Sequence, residues 1–183
     1  MAQEDSKASP PSPDVENRTL DSAIPSGSWT LYFHSPEESK WTLSTFVNLG
    51  SMKTWRDFWS ILSALGPDSF SEGMFFLMRD PIPPLWENHQ NIRGGYYSFR
   101  CQKRDAADSY ANYMIAAMTG LLTKMATNQI NGLSISPKRG FNIVKVWNQS
   151  SVQYNKPTDL CYGIAPSIAE GDMIYTPFVQ KRM

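Results

Sequence analysis

From Ser28 onward, short runs of β-branched and aromatic residues alternate with turn residues, and this pattern predicts a chain built mainly of strands. The runs fall at 28–34 (SWTLYFH), 43–49 (LSTFVNL), 73–79 (GMFFLMR), 95–101 (GYYSFRC), 132–136, 141–147 (FNIVKVW), 159–165 and 173–179. Two segments instead repeat at helical spacing. The first opens at Thr54, an N-cap residue with Asp57 three positions on, and stops at Gly66-Pro67. Within it Phe58, Ile61, Leu62 and Leu65 fall inside roughly 100° of arc, with Trp55 and Trp59 one turn apart at the edge of that stripe. The second covers about 106–126, where Tyr110, Met114, Ala117, Met118, Leu121 and Met125 recur on one face. Helices inserted among many strands predict an α+β fold, an antiparallel sheet covered by helices on one side. Residues 1–24 are rich in Ser, Pro and acids and read as a disordered tail, which leaves one domain over 25–183.

Composition narrows the function. The chain has 183 residues, 41% of them hydrophobic, which suits one domain with a real core. Lys and Arg number 17 against 17 Asp and Glu, so whole-body attraction to nucleic acid is excluded. Locally the balance differs. Residues 1–39 carry Glu4, Asp5, Asp14, Glu16, Asp21, Glu37 and Glu38 against Lys7 and Arg18, whereas 109–158 hold Lys124, Lys138, Arg139, Lys145 and Lys156 and no acid. No apolar run approaches the roughly 20 residues of a membrane span, and the opening MAQEDSKASPPSP lacks an apolar signal segment. Cys101 and Cys161 suit a reducing compartment and make no metal-spaced pair, so a cytoplasmic monomer without metal or cofactor is expected.

Catalytic signatures are poor. His34 and His89 are the two histidines, and neither has ligand spacing; Glu87 with His89 is the one base and partner an enzyme could use. The stretch 80–94, DPIPPLWENHQNIRG, is more informative: three prolines and the following glycines forbid regular structure, and loops this long are usually functional. Trp86 lies in it beside Glu87, and Trp41 ends the polar stretch HSPEESK. A lone loop tryptophan more often pins the loop to the core. Two of them, an acidic neighbour and a separate basic stretch together describe a site for a flat ring bearing phosphates. Indoles stacked on a base contribute about 1–3 kcal/mol each, with a cation–π gain if the base is cationic. A carboxylate accepts two N–H bonds from a guanine edge, and cations meet the phosphates.

Read together, W-x-L-x-F at Trp29–Phe33, Trp41, T-W-R-D-F-W at Thr54–Trp59, L-W-E-N at Leu85–Asn88, N-x-R-G-G at Asn91–Gly95 and V-x-V-W at Val144–Trp147 resemble the eukaryotic translation initiation factor 4E family, in order and spacing, over about 28–181. The resemblance implies a curved antiparallel sheet of about eight strands with two to three helices on its convex face, like a cupped hand. It implies a concave face that binds the 7-methylguanosine triphosphate cap of messenger RNA, and a convex face that binds a helical segment of the scaffold initiation factor 4G or of a repressor. Trp41 and Trp86 would be the stacking indoles, Glu87 the acceptor for the guanine edge, and Trp147 the ring against the N7-methyl group. The phosphate positions match less well. Lys138 or Arg139 stands near the family's first phosphate cation, Lys145 could substitute for the second, and Tyr96 replaces another arginine. Trp59, with Trp55 one turn earlier, matches the partner-holding position. Pro25 could add to that surface, and Asn112, Tyr113 and Ala116 fall at the partner-facing positions of the second helix. Between Trp147 and Asp159 the chain is much shorter than the family's usual helix. An isoform that binds caps to repress or store messages fits the same residues, and a nucleotide-processing enzyme using Glu87 and His89 is the rival from another class.

Overall fold

The computed structural model describes residues 19–124, 130–161, 164 and 170–179. Seven strands form one open, curved antiparallel sheet: β1 (Trp29–His34), β2 (Phe46–Met52), β3 (Met74–Arg79), β4 (Gly95–Cys101), β5 (Ile130–Pro137), β6 (Asn142–Asn148) and β7 (Ile174–Pro177), in spatial order β2-β1-β3-β5-β6-β4-β7. Among the described residues, the helices α1 (Trp55–Leu65), the single turn α2 (Ser69–Glu72) and α3 (Ala106–Met118) cover one side.

Alternation along each strand divides the side chains between two faces. Phe75 and Leu77 of β3, Leu133 and Ile135 of β5, and Val144 and Val146 of β6 point into a core shared with the helices, where Trp29, Phe58, Tyr110 and Met114 are also buried. The intervening residues look the other way. Phe76, Met78 and Trp147 join Phe46 and Ile82 in a second, smaller apolar cluster on the concave side. The register makes this explicit: Phe76 pairs with Ser134, which pairs with Lys145, while Gly132 lies between Met78 and Trp147. A Cβ on Gly132 would stand 2.8 Å from the Leu77 carbonyl oxygen and press on the Met78 side chain, so a glycine suits the close approach of the strands there.

Local signals decide the helix ends. Thr54 Oγ1 accepts from the Asp57 N–H at 3.2 Å, and the Asp57 carboxylate accepts from the Thr54 N–H at 2.9 Å, a reciprocal cap. Asp57 also accepts from the Lys53 N–H, and these backbone donors, Lys53 first, hold its carboxyl below the ordinary range. Gly66, at φ +73°, ends α1. Tyr110 ties α3 to the sheet: its hydroxyl donates to Leu133 O at 3.0 Å and accepts from the Leu77 N–H at 3.2 Å, all buried.

Several expectations need correction. The strand expected at 43–49 is β2, displaced to 46–52 because 43–45 form a 3-10 turn. The helix expected over 106–126 ends at Met118, since Gly120 takes φ +77° and turns the chain, and this leaves Leu121 exposed rather than on the core face. Met125 lies outside the described residues. Of the strand expected at 159–165, residues 162, 163 and 165 also lie outside them; Pro157–Asp159 form a 3-10 turn and Leu160 makes an isolated bridge with Thr123. Residues 1–18 of the expected tail are likewise not described. Its last residues are packed: Ala23 pairs with Thr54, and Ile24 is buried and donates its N–H to Lys53 O.

Candidate functional site

The concave face holds a cavity of about 520 Å³. Its floor is the sheet: Phe76, Ser134, Lys145, Trp147 and Tyr96 from four adjacent strands. One wall is Trp41, at the end of the loop leaving β1, and the opposite wall is the loop after β3, which supplies Pro84, Leu85, Trp86 and Glu87. The end of β7 closes the rim with Thr176, Pro177 and Phe178. Trp41, Trp86, Glu87 and Trp147 are therefore brought to one cleft from segments up to about a hundred residues apart.

Exposure separates their roles. Trp41 is 49% exposed and Trp86 43%, which is unusual for large apolar rings, whereas Trp147 is 6% exposed and serves as floor. The rings form a continuous arc. Trp41 meets Phe76 edge-on at 6.3 Å, Phe76 meets Trp147 edge-on at 6.2 Å, Trp147 meets Phe178 at 5.0 Å, and Phe178 lies 6.5 Å from Trp86 with 23° between planes. Trp147 Nε1 donates to Ser134 Oγ at 3.2 Å, so its polar atom is occupied and its apolar surface faces the cavity.

The loop carrying Trp86 and Glu87 is held from behind by two buried amides. Asn91 Nδ2 lies 2.8 Å from Leu85 O and 3.2 Å from Pro83 O, and Asn131 Nδ2 on β5 donates to Gln90 O at 2.8 Å and to Asn91 Oδ1 at 3.0 Å. Successive turns (Asn88 N–H to Leu85 O, Asn91 N–H to Asn88 O) take up backbone donors that the prolines leave without a ladder.

The three expected phosphate cations separate. Lys145 lines the cavity with its ammonium 4.1 Å from the centre of the Tyr96 ring, a cation–π contact across the β4–β6 pair. Lys138 and Arg139 lie on the exposed turn between β5 and β6, beyond Ser136, and are not part of the cavity wall. Glu87 and His89 do not share a site either: Glu87 borders the main cavity, and His89 borders a second one of about 420 Å³ with Gln90 and Arg93.

On the convex side Trp59 is 46% exposed on α1, edge-on to the buried Phe58 at 4.9 Å, and Trp55 is half-buried one turn earlier. Arg56 on the same helix is paired with Asp21 at 2.6 Å, and this bond holds the Asp21 carboxyl below its ordinary value. The expected partner contacts on α3 are corrected. Tyr113 is 3% exposed, with its ring 4.8 Å from Phe99, and Ala116 is 7% exposed. These two side chains belong to the core, and the outward stripe of α3 is Asp108, Asn112 and Ile115.

Two residues of the site escape a sequence reading. Phe178 was visible as the end of a strand, but its place beside Trp86 depends on the path of β7. His34 closes β1 directly behind Trp41, its ring parallel to the indole at 4.1 Å; strand alternation with Tyr32 is the one signal that puts it on the concave face.

An open antiparallel sheet with helices on one face and a tryptophan-walled cleft on the other defines an open-faced α+β fold rather than a barrel or a doubly wound α/β fold. More particularly, the chain belongs to the eukaryotic initiation factor 4E family, whose family model matches residues 26–167. It is 26% identical over 129 residues to eukaryotic translation initiation factor 4E of Saccharomyces cerevisiae, a match covering 67% of this chain and 60% of that protein. The chain thus spans about three-fifths of the length of that relative. Among solved structures it is similar to Ascaris suum eIF4E-3 in complex with an m2,2,7G cap (17% identity, TM-score 0.61, 73% of this chain and 77% of that one). It is also similar to a schistosome eIF4E complexed with m7GpppA and 4E-BP (21% identity, TM-score 0.60, 68% and 70%). At these identities the likeness establishes the fold. Among the described residues no helix is long and apolar enough to cross a membrane.

Proposed function

We propose that the concave cleft binds the 7-methylguanosine cap of messenger RNA, and that the convex face around Trp59 takes a helical segment of a scaffold or repressor protein, as a cytoplasmic, non-catalytic step of translation initiation. The observation that carries the reading is the pair of half-exposed indoles, Trp41 and Trp86, bordering one cavity with Glu87 at its edge and Trp147 in its floor. Methylation at N7 makes guanine cationic, so a base between the two rings gains both stacking and a quadrupole attraction. Glu87 accepts the N1–H and N2–H donors of the base edge, bonds that the positive charge strengthens. The apolar face of Trp147 receives the methyl group. Lys145 meets the first phosphates, and Lys138 and Arg139 at the rim act on charge further out, where water screens them more. The solved relatives support the reading, since one holds an m2,2,7G cap and another m7GpppA with 4E-BP.

Retention of the protein on a 7-methyl-GTP resin, released by 7-methyl-GTP and not by GTP, is the expected result. Failure to bind rejects the cleft assignment. The processing-enzyme alternative lacks support in the geometry, because Glu87 and His89 border separate cavities; a capped dinucleotide incubated with the protein should be recovered intact.

A further inference from the structure

The rear face of Trp41 is covered by an imidazole. His34 is fully buried, and its ring lies 4.1 Å from the indole with 3° between the planes. Both of its nitrogens face carbonyl oxygens: Nδ1 is 3.0 Å from Ser35 O, and Nε2 is 2.9 Å from Lys40 O. Thr45 Oγ1 stands 3.2 Å from Nε2, but that hydroxyl is also placed to donate to Thr42 O at 2.8 Å and to Lys40 O at 3.0 Å. A neutral imidazole has one N–H, so either tautomer turns a lone pair towards a carbonyl oxygen. Only the imidazolium donates to both.

The elements packed against the ring bring little charge to answer it. Phe46 of β2 tilts onto it at 4.7 Å, and Met74 is its cross-strand neighbour on β3. The ionisable groups nearby in sequence are Glu37, Glu38 and Lys40 of its own loop, and Glu38 Oε1 already accepts the Lys40 N–H at 2.7 Å. A proton on His34 therefore sits directly behind the indole that forms one wall of the cleft.

We propose that His34 is a positioning residue whose protonation grades the preference of this cleft for cationic over neutral bases. The proposal rests on the cap-binding reading and deepens it. A charged imidazole behind Trp41 draws on the same π-system that a cationic base uses from the front, and the two like charges oppose one another through the ring. A neutral base meets no such opposition. Protonation thus lowers affinity for 7-methylguanine more than for guanine, and by reciprocity a bound methylated cap favours release of the His34 proton.

The test titrates the folded protein and its His34→Phe variant with 7-methyl-GTP and with GTP, following tryptophan fluorescence at about pH 5.5 and about pH 7. The two ligands carry the same triphosphate, so the affinity ratio cancels most phosphate titration. Comparison with the variant cancels titration of the methylated base and of His89. In the wild type the ratio should fall by about three- to tenfold on acidification, while in His34→Phe it holds within about twofold. Parallel profiles in the two proteins overturn the role of His34 and leave the cap-binding reading standing; no binding of 7-methyl-GTP by the wild type at either pH overturns both. If His34→Phe misfolds, His34→Gln, which keeps a donor and cannot charge, serves instead. In NMR spectra of the wild type, 7-methyl-GTP should move the His34 Cε1–H resonance towards its neutral position and GTP should not; an unmoved resonance counts against the proposal.

Discussion

Replacing Trp86 by alanine tests the cleft most directly, because the ring does much for binding and little for folding. A base stacked on one indole gains about 1–3 kcal/mol, and desolvated cation–π attraction adds about 0.5–2 kcal/mol. Their loss, about 1.5–5 kcal/mol together, corresponds to roughly ten- to 4,000-fold in affinity at about 1.4 kcal/mol per decade. The cost to stability is small by contrast. Trp86 is 43% exposed, its ring neighbour Phe178 lies 6.5 Å away, and its loop is anchored at Asn91 and Asn131 rather than at the indole. The variant should unfold within about 1 kcal/mol of the wild type. Titration with 7-methyl-GTP, read by fluorescence of the remaining tryptophans beside a urea melt, measures both quantities. Affinity within about threefold of wild type would refute the stacking role. Lost binding accompanied by a large fall in stability would assign the ring to packing instead.

Glu87→Ala should lower 7-methyl-GTP affinity by about ten- to a hundredfold, the worth of charge-assisted bonds, and narrow the discrimination between guanine and other purines; retained guanine selectivity in competition assays would contradict its edge role. Trp59→Ala should weaken binding of a 4E-BP-derived helical peptide by at least about tenfold, as loss of a central aromatic does, and leave 7-methyl-GTP affinity unchanged; calorimetry with each ligand separates the two faces. Alkaline stability follows from the tyrosines. Burial is the first cause that raises the phenols of Tyr97, Tyr110 and Tyr175, with Tyr175 pushed up to about 12 from an ordinary 10.0. The folded state keeps protons that the unfolded chain releases, so the Tyr175 contribution is fully present below about pH 10 and is lost as pH rises through about 12. Urea midpoints should fall over that window, and Tyr175→Phe should show the shallower decline.

Much of the fold could be read from the chain because local chemistry and tertiary packing agree. Thr54 and Asp57 announce the start of α1 and do cap it, and the glycine after Leu65 does end it. The alternation in FNIVKVW puts Lys145 and Trp147 on one face, as the cavity shows. Trp41, Trp86 and Glu87 stood out for a physical reason: prolines exclude ladder bonding around residue 86, and an indole in such a loop needs something to do. Tyr113 and Ala116 turn inward because several small and apolar residues of α3 lie outside its core face as well as on it, so spacing alone does not separate them from the outward stripe of Asp108, Asn112 and Ile115. Lys138 and Arg139 stand on the turn just past β5, and spacing alone does not tell how far that turn carries them from the cleft wall. His34 and Phe178 meet the tryptophans through the paths of loops, and no periodicity encodes a path.

The amide pair of Asn91 and Asn131 splices the Trp86 segment to β5. Fixing a backbone costs about 1–2 kcal/mol per residue, and here that ordering is completed once, when the chain folds, rather than at every encounter. Under the proposed function, this side of the cleft is set before a nucleotide arrives, so closure of the Trp86 loop would not gate each visit.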